Sequence, residues 1–170
     1  MIEFGDSALH PDRIPFDYAA LYADGDPAFV SASNAAAHKF GHKRWITIHD
    51  NWRAAGIIDF SDLVNPAYTD RNALRRWADG RVSGFPDGHP RPFRVYTDMS
   101  AARTAWDRLG DLAPRALWWI AVRDIGHQSP AELAFTLQHR WDAPITTSRI
   151  WGCQWEDRGD IDVSDLFLAW

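Results

Sequence analysis

The feature that most constrains this chain is a short apolar run ending on an acid, which recurs along its length. Leu21-Tyr22-Ala23 runs into Asp24 and Asp26, and Trp45-Ile46-Thr47-Ile48 runs into His49 and Asp50. Ala55-Gly56-Ile57-Ile58 meets Asp59, and Phe93 to Thr97 ends at Asp98. Leu117 to Val122 ends near Asp124, and Ile150 to Trp155 runs into Glu156 and Asp157. Each run is the length of a strand, and helical stretches lie between several of them. That alternation argues for βα units and a parallel sheet, whose strand ends would gather the acids at one mouth.

Taken in order, residues 1–17 hold Pro11 and Pro15 and no clear period, so they read as a lead-in segment. A first strand is expected over 18–23. The turn Asp24-Gly25-Asp26-Pro27 follows, with Pro27 suited to open a helix that runs to Phe40. Strands are expected over 44–48 and 55–60, then a helix over 70–79 stopped by Gly80. A strand over 93–97 precedes a helix capped by Ser100 and ending at Gly110, and another strand covers 116–122. Ser129-Pro130-Ala131-Glu132 spells a capping box, with Ser at the N-cap, Pro at N1 and Glu at N3. That helix should run to Trp141 and stop before Pro144. A last strand over 149–154 and a tail over 160–170 complete a single domain, 1–170.

Composition narrows the class. A chain of 170 residues that is 46% hydrophobic can build one real core and is not a disordered polymer. With a net charge of −5 and 18 scattered basic residues, it has no patch suited to nucleic acid. Cys153 is the one cysteine, so no disulfide framework forms within the chain. No apolar run approaches the roughly 18 residues a membrane span needs. The start, Met1-Ile2-Glu3-Phe4-Gly5-Asp6, lacks the basic and apolar regions of a signal peptide. No cofactor is expected. His38 and His42 are four apart, but they precede a strand and so belong at the bottom of a barrel, and no metal site is expected there.

An open doubly wound sheet and a closed barrel both fit the alternation. The first strand is not followed by a Gly-x-Gly-x-x-Gly turn, which weakens the dinucleotide-binding reading. Acids at every strand end favour a barrel, because all of its loops converge on one face. The expected class is therefore α/β, a compact or reduced TIM-like (β/α) barrel with six clear strands and an incomplete helical layer. It is shorter than the usual barrel of at least about 200 residues.

Four stretches, in this order, resemble the glycoside hydrolase family 25 lysozymes, and more closely the short family-25-like barrels of actinobacteria and their phages. They are Tyr22-Ala23-Asp24-Gly25, Ile57-Ile58-Asp59-Phe60, Leu117-Trp118-Trp119-Ile120-Ala121, and Ile150 to Trp155 followed by Asp160 to Phe167. The resemblance implies a barrel acting on the glycan strands of peptidoglycan through an Asp-x-Glu pair on a mid-barrel strand. Here that pair reads Asp59-Phe60-Ser61, so a serine holds the place of the general acid. A serine hydroxyl cannot protonate a leaving sugar oxygen near neutral pH, and loss of a positioned acid costs about 100-fold to 10,000-fold. Asp62 is one residue further on and would take the role only across a bulge.

Glycoside hydrolysis needs two carboxyl groups about 5 to 9.5 Å apart. Asp24, Asp59, Asp98 and Asp124 are the acids expected at that mouth. Asp59, Asp24 and Asp62 are the catalytic candidates. Asp98, Asp124, Trp52, Gln154, Trp155 and His49 are the candidate sugar-binding residues. The competing account makes each acid a helix cap or an arginine partner, and it is strongest for Asp98 and Asp124. Trp119 and Trp151 are further stacking candidates, although packing is the commoner use of tryptophan. Trp118 and Trp119 should face opposite sides of their strand, and Cys153 should be a buried small apolar residue. The expected function is a non-catalytic glycan-binding or structural module, of the kind found in a phage tail or capsid. Its expected partners are cell-wall glycan or other virion subunits, and the apolar terminus Leu166 to Trp170 packs back or meets another copy. It would then reach its site in a particle or on lysis, or else stay in the cytoplasm. The alternative is a muramidase-type peptidoglycan hydrolase.

Overall fold

The computed structural model describes residues 2–7, 9–23, 27–40, 45–49, 57–59, 72–83, 93–122, 125–157 and 161–167. Of these, 45–49, 57–59 and 157 are described by their backbone alone. The class is mixed α/β, with a sheet that curls round and closes. Its strands are β1 (Ile2–Asp6), β2 (Ala19–Tyr22), β3 (Trp45–His49), β4 (Ile57–Asp59), β5 (Arg94–Asp98), β6 (Leu117–Ala121), β7 (Ile150–Asp157) and β8 (Asp162–Leu166). They lie side by side in chain order. Neighbours from β1 to β7 are parallel, whereas β8 runs antiparallel to both β7 and β1. The closing strand thus departs from a regular (β/α) repeat.

Two of the eight strands correct the sequence reading. Residues 1–17 contain β1, and the tail 160–170 contains β8. Their polarity explains why a hydrophobic pattern passes over them. β8 reads Asp-Val-Ser-Asp-Leu, yet Ser164 and Asp165 are buried and take partners from elsewhere in the fold. β1 carries Gly5, and a β-carbon there would lie 2.9 Å from Ile14 Cγ2 and 3.1 Å from Phe16 Cδ2. The glycine lets the segment after β1 pack flat against the strand.

The described helices are α1 (Pro27–Phe40), α2 (Ala73–Ser83), α3 (Ala102–Leu109) and α4 (Pro130–Trp141). α1 begins on Pro27 and ends on Phe40, as the proline predicts. α4 starts with the full capping box. The Glu132 N–H donates to Ser129 Oγ at 3.3 Å, and the Ser129 N–H donates to Glu132 Oε2 at 2.9 Å. Two helix boundaries differ from expectation. Gly80 lies inside α2, because Leu74, Trp77, Ala78 and Arg81 are buried together on that helix and outweigh the cost of about 1 kcal/mol for an interior glycine. α3 begins at Ala102, and its N-cap Ala101 has no side-chain cap of its own. Instead Asp98 Oδ1 accepts the Ala101 N–H at 3.0 Å.

The two faces of the sheet bury different cores. Phe4, Ala20, Trp119, Trp151 and Leu166 pack together inside the barrel, with Tyr22, Tyr96 and Leu117 against them. Trp118, Ile120, Val95, Ile150 and Cys153 pack outward against α2, α3 and α4. Trp118 and Trp119 therefore face opposite ways, as strand alternation requires.

Candidate functional site

The rim formed by the C-terminal ends of the parallel strands is the natural site. Asp6 ends β1, Tyr22 ends β2, His49 ends β3, Asp59 ends β4 and Asp98 ends β5. Ala121 and Asp157 end β6 and β7, and Asp162 opens the antiparallel β8 at the same rim, opposite Asp6 and Asp157. Strand alternation puts Asp6 on the same face as Phe4, and Asp162 on the same face as Ser164, both toward the barrel interior. Asp6 is buried and Asp162 half-buried. Both were missed in the sequence because their strands were missed. The signal was present in Ile2 to Asp6, a short run that ends on an acid like the others.

Asp59 sits at the rim by its backbone, paired in register with Tyr96, and His49 pairs with Ile58. The side chains of both lie outside the described residues, as do Asp24, Trp52, Ser61, Asp62 and Asp124. Asp98 reaches the rim, and its Oδ1 accepts hydrogen bonds from Ser100 Oγ and the Ala101 N–H, so it holds the turn into α3. Gln154 is buried on the inner face, where Tyr96 donates its phenol hydrogen to Gln154 Oε1. This bond ties β5 to β7 over the intervening β6, just beneath the rim.

Below that layer the barrel is filled. The Trp119 ring lies 5.1 Å from Phe4, 4.5 Å from Tyr96 and 6.1 Å from Trp151, measured between centroids. Its indole N–H donates to Ser164 Oγ at 3.0 Å. Gly152 leaves room for this plug, because a β-carbon there would stand 3.3 Å from Trp119 Cδ1 and 3.1 Å from the Asp165 carbonyl. The Arg94 guanidinium lies 5.0 Å from the Trp151 ring at the opposite end, and burial lowers its proton affinity. Trp119 and Trp151 are thus fully buried packing residues, not sugar-stacking surfaces.

Trp155 does not face the interior either. A bulge between Gln154 and Glu156 leaves it unpaired in the ladder, and it packs against the outer core. There the His127 ring stacks on it, with centroids 3.5 Å apart and planes 30° from parallel. His127 Nδ1 lies 2.8 Å from Asp165 Oδ2, so the ring donates to a carboxylate that is almost wholly buried. Asp165 Oδ1 is buried with no hydrogen-bond partner. Neither His127 nor Asp165 was singled out in the sequence, since they are 38 residues apart and only the fold joins them. Cys153 is buried beside this pair. Burial, and then the charge of Asp165, push its thiol up to about 12, so it is an unreactive core residue.

Among the described residues, no group of three or more His, Cys, Asp or Glu could hold a metal ion. No helix among them is long and apolar enough to cross a membrane.

The geometry is that of a closed barrel with acids around one rim and aromatic rings packed beneath it. Among solved structures the chain is similar to the bacterial lysozyme from Streptomyces coelicolor, with a TM-score of 0.53 and 11% sequence identity. The match covers 97% of this chain and 91% of the lysozyme, and at that identity it shows a shared fold. No family profile and no curated protein matches the chain by sequence.

Proposed function

We propose that the barrel mouth binds a cell-wall glycan without cleaving it. One observation carries this reading: past the end of β4, where the family-25 resemblance requires the general acid, the chain has Ser61. Asp98 on the neighbouring strand holds the turn into α3 with its Oδ1, which favours a structural use of that carboxylate. The rim carboxylates still suit recognition, because ionised carboxylates accept hydrogen bonds from sugar hydroxyls. The wider setting is a phage particle that meets a bacterial envelope, with other virion subunits as further partners.

Asp6 favours a second reading. It is a buried carboxyl on the inner face of the rim, and hydrolysis needs a second such group near Asp59. In that reading the chain is a muramidase-type hydrolase that draws its acid from β1 rather than from β4.

Retention on insoluble peptidoglycan tests the binding claim. The parent protein should be retained, and the double variant Asp6→Asn, Asp59→Asn should be retained several-fold less. A parent that passes through unretained, or a double variant held as tightly as the parent, removes the mouth from consideration.

A further inference from the structure

α4 presents a large aromatic to solvent on the side away from its core contacts. Leu133, Ala134 and Leu137 are buried, whereas Phe135 is 63% exposed. Its ring is nevertheless held in place. The His139 imidazole lies over it with centroids 4.0 Å apart and planes 23° from parallel. His139 Nδ1 donates to the Phe135 carbonyl at 2.9 Å. In the neutral ring that bond puts the proton on Nδ1 and leaves Nε2 as an outward acceptor. The two rings are thus stacked face on face, which holds the exposed Phe135 ring in one orientation.

An open groove of about 450 Å³ runs beside Phe135, between α4 and the segment that leads into β7. Ala134 and Ile145 are buried at its floor, and Gln138, Thr146 and Thr147 stand exposed on its rim. No side chain lining it carries a charge. A phosphate or a strongly charged peptide would find no counter-ion there. An aliphatic partner would cover the Gln138 amide and two threonine hydroxyls without replacing their hydrogen bonds to water, at a cost. A neutral sugar matches the lining on both counts. Its C–H face would lie against the exposed Phe135 ring, while its hydroxyls would reach Gln138, Thr146 and Thr147.

We propose that this groove is a second carbohydrate-binding surface, one that takes a neutral saccharide unit. It lies by the start of β7, whereas the mouth lies at the other ends of the parallel strands. The proposal does not rest on the mouth's function. It gives the domain two separated sugar contacts, an arrangement that raises avidity for a long glycan.

The test is a titration of the full, ¹⁵N-labelled chain with a hexamer of N-acetylglucosamine, followed by amide chemical shifts and calorimetry. The expected result is saturable shifts at Phe135, Gln138, Thr146 and Thr147, with affinity at this site weakened about three- to tenfold in Phe135→Ala. Gln138→Ala should weaken it less, and Asp59→Asn should leave these four shifts unchanged. Phe135 is exposed, so its variant should fold, and circular dichroism checks that it does. Shifts confined to the mouth, no shifts at all, or unchanged affinity in Phe135→Ala would overturn the proposal. A concentration-dependent dimer that Phe135→Ser turns into a monomer would also overturn it, assigning the groove to a second copy.

Discussion

The two faces of this sheet solve the same packing problem differently. The inner face uses a few large rings, Phe4, Tyr96, Trp119 and Trp151, and joins them with polar links from Trp119 to Ser164 and from Tyr96 to Gln154. The outer face uses many small and branched residues, with Trp118 stacked on Trp106 at a centroid distance of 6.0 Å. The indole N–H of Trp119 is satisfied, while those of Trp118, Trp141 and Trp155 have no hydrogen-bond partner. A closed wall cannot move inward to fill a void, so the inner face needs a close fit. The outer face is covered by helices that can shift. Among the described residues, the rings packed inside the barrel leave the rim and the outer surface as the places for a ligand.

This difference should be measurable. Trp119→Ala removes the centre of the plug and should destabilise by about 3–5 kcal/mol in a denaturant titration, the upper range for large-to-small core changes. Trp118→Ala, facing helices that can settle, should cost less, and equal losses would break the comparison. Gly152→Ala should cost about 1–3 kcal/mol, because its new methyl meets the Asp165 carbonyl and the Trp119 ring, neither of which has room to retreat. Ser164→Ala strands the buried Trp119 N–H and should cost a similar 1–3 kcal/mol, that is, about what one unmet buried donor costs. Full tolerance of this change would show that the inner polar link matters no more than the unpaired indoles outside.

The smaller effects lie in the helical layer. Ser129→Ala removes the capping box of α4 and should cost about 1 kcal/mol. The smallest concerns pH. Hydrogen bonds from Ser129 hold the Glu132 carboxyl below its usual range, and Arg75 does the same for Asp111. Each therefore adds stability that is present above the ordinary carboxylate range of about 4 and is lost as the pH falls through the lowered folded value. Thermal melts should drop over that window, and Ser129→Ala should reduce the Glu132 share, leaving the part that comes from the backbone N–H. Both groups are exposed, so salt should mute the effect.

Much of this architecture was legible in the sequence, and the gaps have physical causes. Strands β2 to β7 announce themselves as apolar runs, and Pro27 and the Ser129 box mark two helix starts. β1 and β8 hide because a strand that closes a barrel can bury serine and aspartate, provided the fold brings Trp119 and His127 to them. The same limit applies to the site. Acids at strand ends foretell the rim, but not Asp6 or Asp162. Spacing along the chain could not show that Trp155 stacks on His127. The capping role of Asp98, by contrast, is one of the two readings that its position before Ser100 allows.

The most direct test of the central claim is release of reducing ends from actinobacterial peptidoglycan by the purified, folded protein, run beside the Asp59→Asn variant. A mouth that binds without cleaving predicts no release above background from either protein while the parent stays bound to the wall. Release by the parent that disappears in Asp59→Asn would contradict the claim and make this barrel a hydrolase.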